Sequence, residues 1–249
     1  MNLVYLEVDY HRSDYDAIPT AMRQDFTERL VTSWLYHECA LEGVVLTKEE
    51  LFRALNNQPC RTHCEATRDR LIRRLHASFM QLVSEAGSRE PITMEWLRAQ
   101  HSALCDVGEE GAGRYRKRDT SPGVYNLDVV QAQSISYHLR KFLDTYESEL
   151  VDAHPVRAAA LAHWEFMKVF PFDERTGLVG RLMLNAILMR HDYPPAVIHG
   201  ADRQNYFAAL NGHKVDMIPV VVDAVSSTIS AATAFSSSQI ATLGHRAAL

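Results

Sequence analysis

Residues His163 to Ile198 read HWEFMKVFPFDERTGLVGRLMLNAILMRHDYPPAVI, and the organisation of the chain is read outward from them. Phe166, Met167, Val169 and Phe170 follow a helical pattern that runs into a Pro171-Phe172 corner, where a helix interior tolerates no proline. A short polar loop of Asp173, Glu174, Arg175, Thr176 and Gly177 then leads into a second helix carrying Leu182, Leu184, Ile187 and Leu188. The first N–H groups of a helix lack intrahelical partners and form the positive end of its dipole, so such a loop is a ready site for phosphate or another anion. Arg175, Thr176, Gly177 and Arg181 are therefore the candidate anion- and ligand-binding residues.

The run resembles the signature of the Fic proteins (Fic/Doc, or Fido, domains), His-Pro-Phe-x-Asp/Glu-Gly-Asn-Gly-Arg-x-x-Arg, which here reads Phe170-Pro-Phe-Asp-Glu-Arg-Thr-Gly-Leu-Val-Gly-Arg181. Pro171, Phe172, Glu174, Gly177 and Arg181 match. The continuation Gly-Arg-Leu-x-x-Asn185 and Tyr193-Pro-Pro-x-x-Ile198 is also similar to many family members, as are Met94 to His101 and Asp202 to Leu210. The resemblance implies an all-α, Fic-type helical domain with a small β-hairpin flap and an N-terminal helical extension, and AMP transfer from ATP to a hydroxyl side chain of a target protein. It places Arg114, Tyr115 and Arg116 in the flap that clamps the target segment.

Four of the family's chemical roles are altered. The catalytic His, a general base worth about 10²–10⁴-fold in rate, is Phe170, whose ring accepts no proton. The anion-hole Gly and Asn are Arg175 and Thr176, and the Arg that grips the outer phosphates is Leu178. Glu174 matches the acidic position that holds Mg²⁺ with the nucleotide, a metal candidate only when a ligand shares the ion. The sequence thus assigns no certain cofactor and keeps little of the grip on a nucleotide with Mg²⁺. Asp173, Glu174 and His163 remain as candidates for a catalytic role, with His163 two helical turns before Phe170 and structural in the family.

A second resemblance lies at His37 to Thr47, similar to the autoinhibitory helix of many Fic proteins, whose Ser/Thr-x-x-x-Glu-Gly/Asn sets a Glu against the last Arg of the signature. Here Glu42 and Arg181 take those positions, and the Ser/Thr position is Glu38. With the catalytic His gone, the contact reads either as a relic of inhibition or as a buried ion pair that holds the helix on the domain, costly to break even where it adds little net stability.

The 249 residues are 47% hydrophobic, enough for one globular domain with a helical extension, and the net charge of −5 argues against nucleic acid or an acidic membrane as partner. No uninterrupted apolar run of membrane-spanning length and no basic, apolar leader is read at the start, which together predict a cytoplasmic protein. Four cysteines at irregular spacing predict reduced thiols, and Cys60, His63 and Cys64 lack a fourth zinc ligand.

Three segments are expected: an N-terminal helical extension over 1–60, a Fic-like core over 61–225 and an Ala/Ser-rich tail over 226–249. Residues 1–17 show no clear period and read as an arm. Helices are predicted over Thr20–Leu41, over Lys48–Leu55 behind a Thr47 capping box, from about His63 to Glu85, and from a Thr93 cap to near Leu104. Residues 87–91 read as a turn, 106–127 as the hairpin, 128–150 as a helix, and Ile218–Val225 as a last apolar helix. The hairpin edge either pairs with an extended peptide or is a charged edge that discourages aggregation. The tail is a helix, a homo-oligomer contact or disordered.

Two functions follow. One is a Fic-fold protein that has lost AMP-transferase chemistry and binds a small anion or a peptide as a regulatory pseudoenzyme. The other is a repurposed enzyme with new chemistry in the same cleft; fold alone does not decide between them.

Overall fold

Helix α8 (Thr176–Arg190) is buried along its whole length up to Met189, and a helix apolar on every side has to be enclosed by others. The computed structural model describes residues 3–60, 62–88, 90–150 and 152–247, and around α8 it packs α4 (His63–Ser84), α5 (Met94–Leu104) and α7 (Pro155–Val169). At the α7–α8 crossing the backbones come close at Gly180, where a Cβ would lie 3.1 Å from the Phe166 ring and 3.2 Å from the His163 ring. Four buried alanines of α7, Ala158, Ala159, Ala160 and Ala162, keep it slim where it packs among α6 (Ile135–Thr145), α8 and α10 (Met217–Ala247).

Of the N-terminal helices α1 (Leu3–Asp16), α2 (Thr20–Leu41) and α3 (Lys48–Leu55), α2 and α3 pack against α4, with Trp34 tilted over Phe79 at 4.4 Å. Their ends follow the sequence signals. Thr47 accepts from the Glu50 N–H and its own N–H donates to the Glu50 carboxylate, while Thr62 and Thr93 cap α4 and α5. The turn at 87–91 leaves Arg89 outside the described residues, as are the last two residues of the expected tail.

Four expectations are corrected. Residues 3–16 form helix α1 instead of an arm, because Tyr5 and Val8 are buried and the helix lies along α10 (Met217–Ala247). Its Asp9 accepts from the Tyr193 hydroxyl at 2.5 Å and meets His154 Nε2 at 3.1 Å, fixing a weakly periodic segment by tertiary contacts. The helix expected from 128 begins only at Ile135, as α6 (Ile135–Thr145), after a 3-10 turn at Ala132–Ser134. The Val130 N–H is committed to the Lys168 carbonyl and the Ala132 N–H to Asp119. A π-helical turn, Tyr146–Leu150, closes α6.

The tail is not separate from the last apolar helix. α10 runs unbroken through the expected boundary at 225/226, burying Thr228, Ile229 and Ala232 and packing on α1, α2, α7 and α9 (Arg203–Asn211). The helical stretch Lys214–Thr242 is long and apolar enough to cross a membrane by length and composition, although polar residues interrupt it.

No strand occurs among the described residues, so the flap is not a hairpin. Residues 105–131 are turns and extended coil whose donors are spent elsewhere: the Gly113 N–H on His101 Nδ1 at 3.0 Å and the Arg116 N–H on the Pro171 carbonyl at 2.8 Å. The Arg116 guanidinium, buried, donates to the Phe170 carbonyl at 2.8 Å, the Arg118 carbonyl at 2.9 Å and the Val130 carbonyl. The last carbonyls of a helix lack intrahelical donors, and Arg116 supplies them at the end of α7. Tyr115 packs on Phe172, and only Arg114 of the three expected flap residues is exposed. Replacing Arg116 with Met should therefore lower stability by about 3 kcal/mol through stranded buried carbonyls, whereas Arg114→Ala should stay within about 0.5 kcal/mol, as read from urea midpoints.

Candidate functional site

Helix α7 ends on Phe170, whose backbone is left-handed (φ 46), and α8 is entered through Arg175, also left-handed (φ 61). Such φ values are uncommon outside glycine and are held only where the surroundings over-determine them. Three contacts do so. The Phe170 N–H bonds back to the Phe166 carbonyl, its own carbonyl accepts from Arg116, and the Phe172 N–H donates to Thr176 Oγ1 at 3.1 Å while that hydroxyl donates back to the Phe172 carbonyl at 3.0 Å. The Phe170 ring sits edge-on to Tyr125 at 6.0 Å, and Phe172 stacks on His101 at 4.0 Å. Thr176, expected to contact a ligand, instead ties the loop to itself.

The N-terminus of α8 is covered from inside. A Cβ at Gly177 would overlap the Tyr125 hydroxyl and lie 2.5 Å from a carboxylate oxygen of Glu42, so glycine is required there for close approach. Tyr125 donates to that Glu42 oxygen, and Arg181, 1% exposed, gathers the cluster. Its Nε donates to Glu38 at 2.6 Å, its Nη2 to Glu42 at 2.7 Å and its Nη1 to the Tyr125 hydroxyl at 3.0 Å. Glu38 in the last turn of α2 and Glu42 at its C-cap stand four residues apart, a spacing that would set two like charges side by side were the guanidinium not between them. The expected pairing of Glu42 with Arg181 is present, and Glu38 adds a second, fully buried carboxylate.

Burial pushes the Glu38 carboxyl up to about 7 even with Arg181 drawing it down, and burial also raises Tyr125 well above the ordinary phenol range. Arg181 stays charged: burial works against it, but Glu38 and the other acidic groups around it hold it well above its ordinary value. His163 is fully buried, and its Nε2 shares a hydrogen bond with the Tyr206 hydroxyl at 2.8 Å. Burial, then Arg181, lowers it to about 3, so it is a neutral structural ring rather than a substitute base.

Arg175 turns away from this cluster. Its two terminal nitrogens grip Glu109 at 2.5 and 3.2 Å and one meets the Cys105 thiol at 3.5 Å, tying the 105–113 loop to the start of α8. The two arginines expected to hold one anion therefore each have carboxylate partners of their own. Asp173 is exposed, and Glu174, 75% exposed at its side chain, lies 3.6 Å from Arg175. Among the described residues no group of three His, Cys, Asp or Glu could hold a metal ion. Tyr125, Tyr206, Glu109 and the second carboxylate Glu38 complete the site without having been singled out as its members; only the four-residue spacing of Glu38 and Glu42 was a usable signal.

The two carboxylates should differ in a measurable way. Glu38→Ala should cost about 3 kcal/mol by stranding part of a buried cation, and Glu42→Ala about 1 kcal/mol, because Glu42 is 24% exposed at its side chain and Glu38 remains. The raised Glu38 carboxyl binds its proton more tightly in the folded chain. Its contribution to stability is full below the unfolded value near 4.5 and is lost as pH rises through about 7. Urea unfolding of the protein against Glu38→Gln should show the difference falling over that window, by on the order of 3 kcal/mol.

The Fic/DOC family model matches residues 91–188. The chain is 29% identical over 226 residues to Protein adenylyltransferase Fic of Nematostella vectensis, covering 85% of this chain and 50% of that protein. It is 26% identical over 200 residues to Protein adenylyltransferase fic-1 of Caenorhabditis elegans, covering 77% and 38%. The chain thus spans half or less of these relatives' own length. In fold it is similar to a Fic domain containing signaling protein from Bacteroides thetaiotaomicron, with a TM-score of 0.80 at 19% identity over 93% of this chain and 98% of that one. Fic-1 from C. elegans gives a TM-score of 0.80 at 20% identity over 95% and 72%. The signature run at the α7–α8 corner lies within residues 91–188, the stretch that matches the Fic/DOC family model, and the chain as a whole is similar in fold to Fic-domain proteins.

Proposed function

We propose that this protein is a Fic-family member that does not transfer AMP and acts as a binding or regulatory protein built on the Fic scaffold. The observation that carries the proposal is Phe170, a buried ring packed on Tyr125 at the position where the family signature has the histidine that takes the target proton. The geometry around it supports the same reading. A nucleotide with Mg²⁺ fits poorly where the Tyr125 hydroxyl and the Glu42 carboxylate lie against Gly177 and where Arg181 already has two carboxylate partners.

Of the two ligand classes, a small anion has little to hold it, because Arg175 and Arg181 are both paired. An extended partner polypeptide is favoured along residues 106–131, where Arg114, Lys117 and Arg118 are exposed and Val107 is 99% exposed. Contacts there would be made by side chains, since the segment is not a strand open to pairing. The second reading, new chemistry in the same cleft, draws on the exposed carboxylates of Asp173 and Glu174 at the loop. The four free thiols accord with a reducing, cytoplasmic setting, which is part of the proposal.

The test is incorporation of labelled AMP from ATP with Mg²⁺ into lysate proteins or into the chain itself, for the protein, for Glu42→Gly and for Glu38→Gln combined with Glu42→Gly. No incorporation above background is expected from any of the three, because relieving Arg181 does not create a proton acceptor at 170. Robust labelling by any of them overturns the proposal.

A further inference from the structure

A 450 Å³ cavity lies between α6, the π-helical turn, α7 and the 3-10 turn Lys214–Asp216, and none of its lining residues belongs to the Arg181 cluster. Its floor is apolar, formed by Phe142, Leu150, Leu161 and Val169, all buried. Its walls are basic: Lys141, Arg157, Lys168 and Lys214 stand against the carboxylates of Glu149 and Glu165, with His138 beside them. That local excess of positive charge runs opposite to the chain's net charge of −5.

Two of those four cations have internal partners and two do not. Lys214 lies 3.7 Å from Glu165 and Lys168 rests 5.1 Å over the Trp164 ring. Arg157, half-buried on α7, and Lys141 on α6 have no hydrogen bond or ion pair among the described residues. A half-buried guanidinium with no acceptor loses hydration without compensation, and surface pairing alone would not keep it over an apolar floor. The volume lies within the usual range for small-molecule sites, which combine apolar walls with a few placed polar groups. The wall also contains a π-helical turn, a rare widening that occurs often at functional sites.

We propose that this cavity binds a small amphiphilic anion, with an aryl or alkyl body on the Phe142–Leu161 floor and a carboxylate or phosphate group on Arg157 and Lys141. A guanidinium meets either group with two parallel hydrogen bonds. The site is independent of the proposal about AMP transfer.

The probes are 4-phenylbutyrate and phenyl phosphate, with neutral 4-phenylbutanol as control, titrated into the full chain by calorimetry and followed by amide shifts of the isotopically labelled protein. At least one anion should bind saturably at one site and shift residues near 141, 157 and 168, and the alcohol should not. Arg157→Ala and Lys141→Ala should each weaken binding by about tenfold, while Arg140→Ala, on the exposed side of α6, should leave it unchanged. Lys141 is exposed, so its variant keeps the test decisive should Arg157→Ala unfold. Failure of both anions to saturate, equal binding of the alcohol, or undiminished binding in Lys141→Ala overturns the proposal.

Discussion

A guanidinium buried inside a helical domain constrains everything around it. Arg181 sits in the middle of α8, the helix the other elements enclose, and a charge there is tolerated only with acceptors in place. Those acceptors come from far away in the chain: Glu38 and Glu42 from α2, and the Tyr125 and Tyr206 hydroxyls from the long loop and from α9. One cation therefore fixes the seating of α2, the path of the loop through Tyr125 and the position of the Tyr206 hydroxyl in front of His163. Docking of the N-terminal helices and closure of the cleft are the same event, because Glu42 both pairs with Arg181 and lies against Gly177.

The residues that depart from the family signature share one physical character. Where the signature has groups that face a ligand, this chain has groups that face the protein. Phe170 packs on Tyr125, Thr176 closes the corner on Phe172, and Arg175 grips Glu109 across the loop. The left-handed backbone at Arg175 falls where the signature has glycine, so the loop keeps its shape at some conformational cost and the new side chain supplies a bidentate contact that helps hold it. Arg116 acts in the same sense at the other side of the corner, capping α7 with a buried guanidinium. The cleft is thus consolidated as a piece of structure, while the basic cavity behind α6 and α7 keeps cations without partners.

The sequence by itself determined the helical class, most helix boundaries, and the α7–corner–α8 unit. These rest on local rules: apolar periodicity, Thr47 and Thr93 as caps and Pro171 ending a helix. It also determined the pairing of Glu42 with Arg181, through a resemblance that names both positions. Only the tertiary structure decided that residues 3–16 are a helix, since their burial comes from α10, more than two hundred residues away. Likewise only the fold decided that the 105–131 segment is not a hairpin, because glycines and alternating residues allow a strand but its donors find better acceptors on α7 and the corner. The partners of Arg175, Thr176 and His163 were set the same way: a side chain's chemistry is legible in sequence, but whether it faces a ligand or another part of the chain depends on contacts between residues remote from one another.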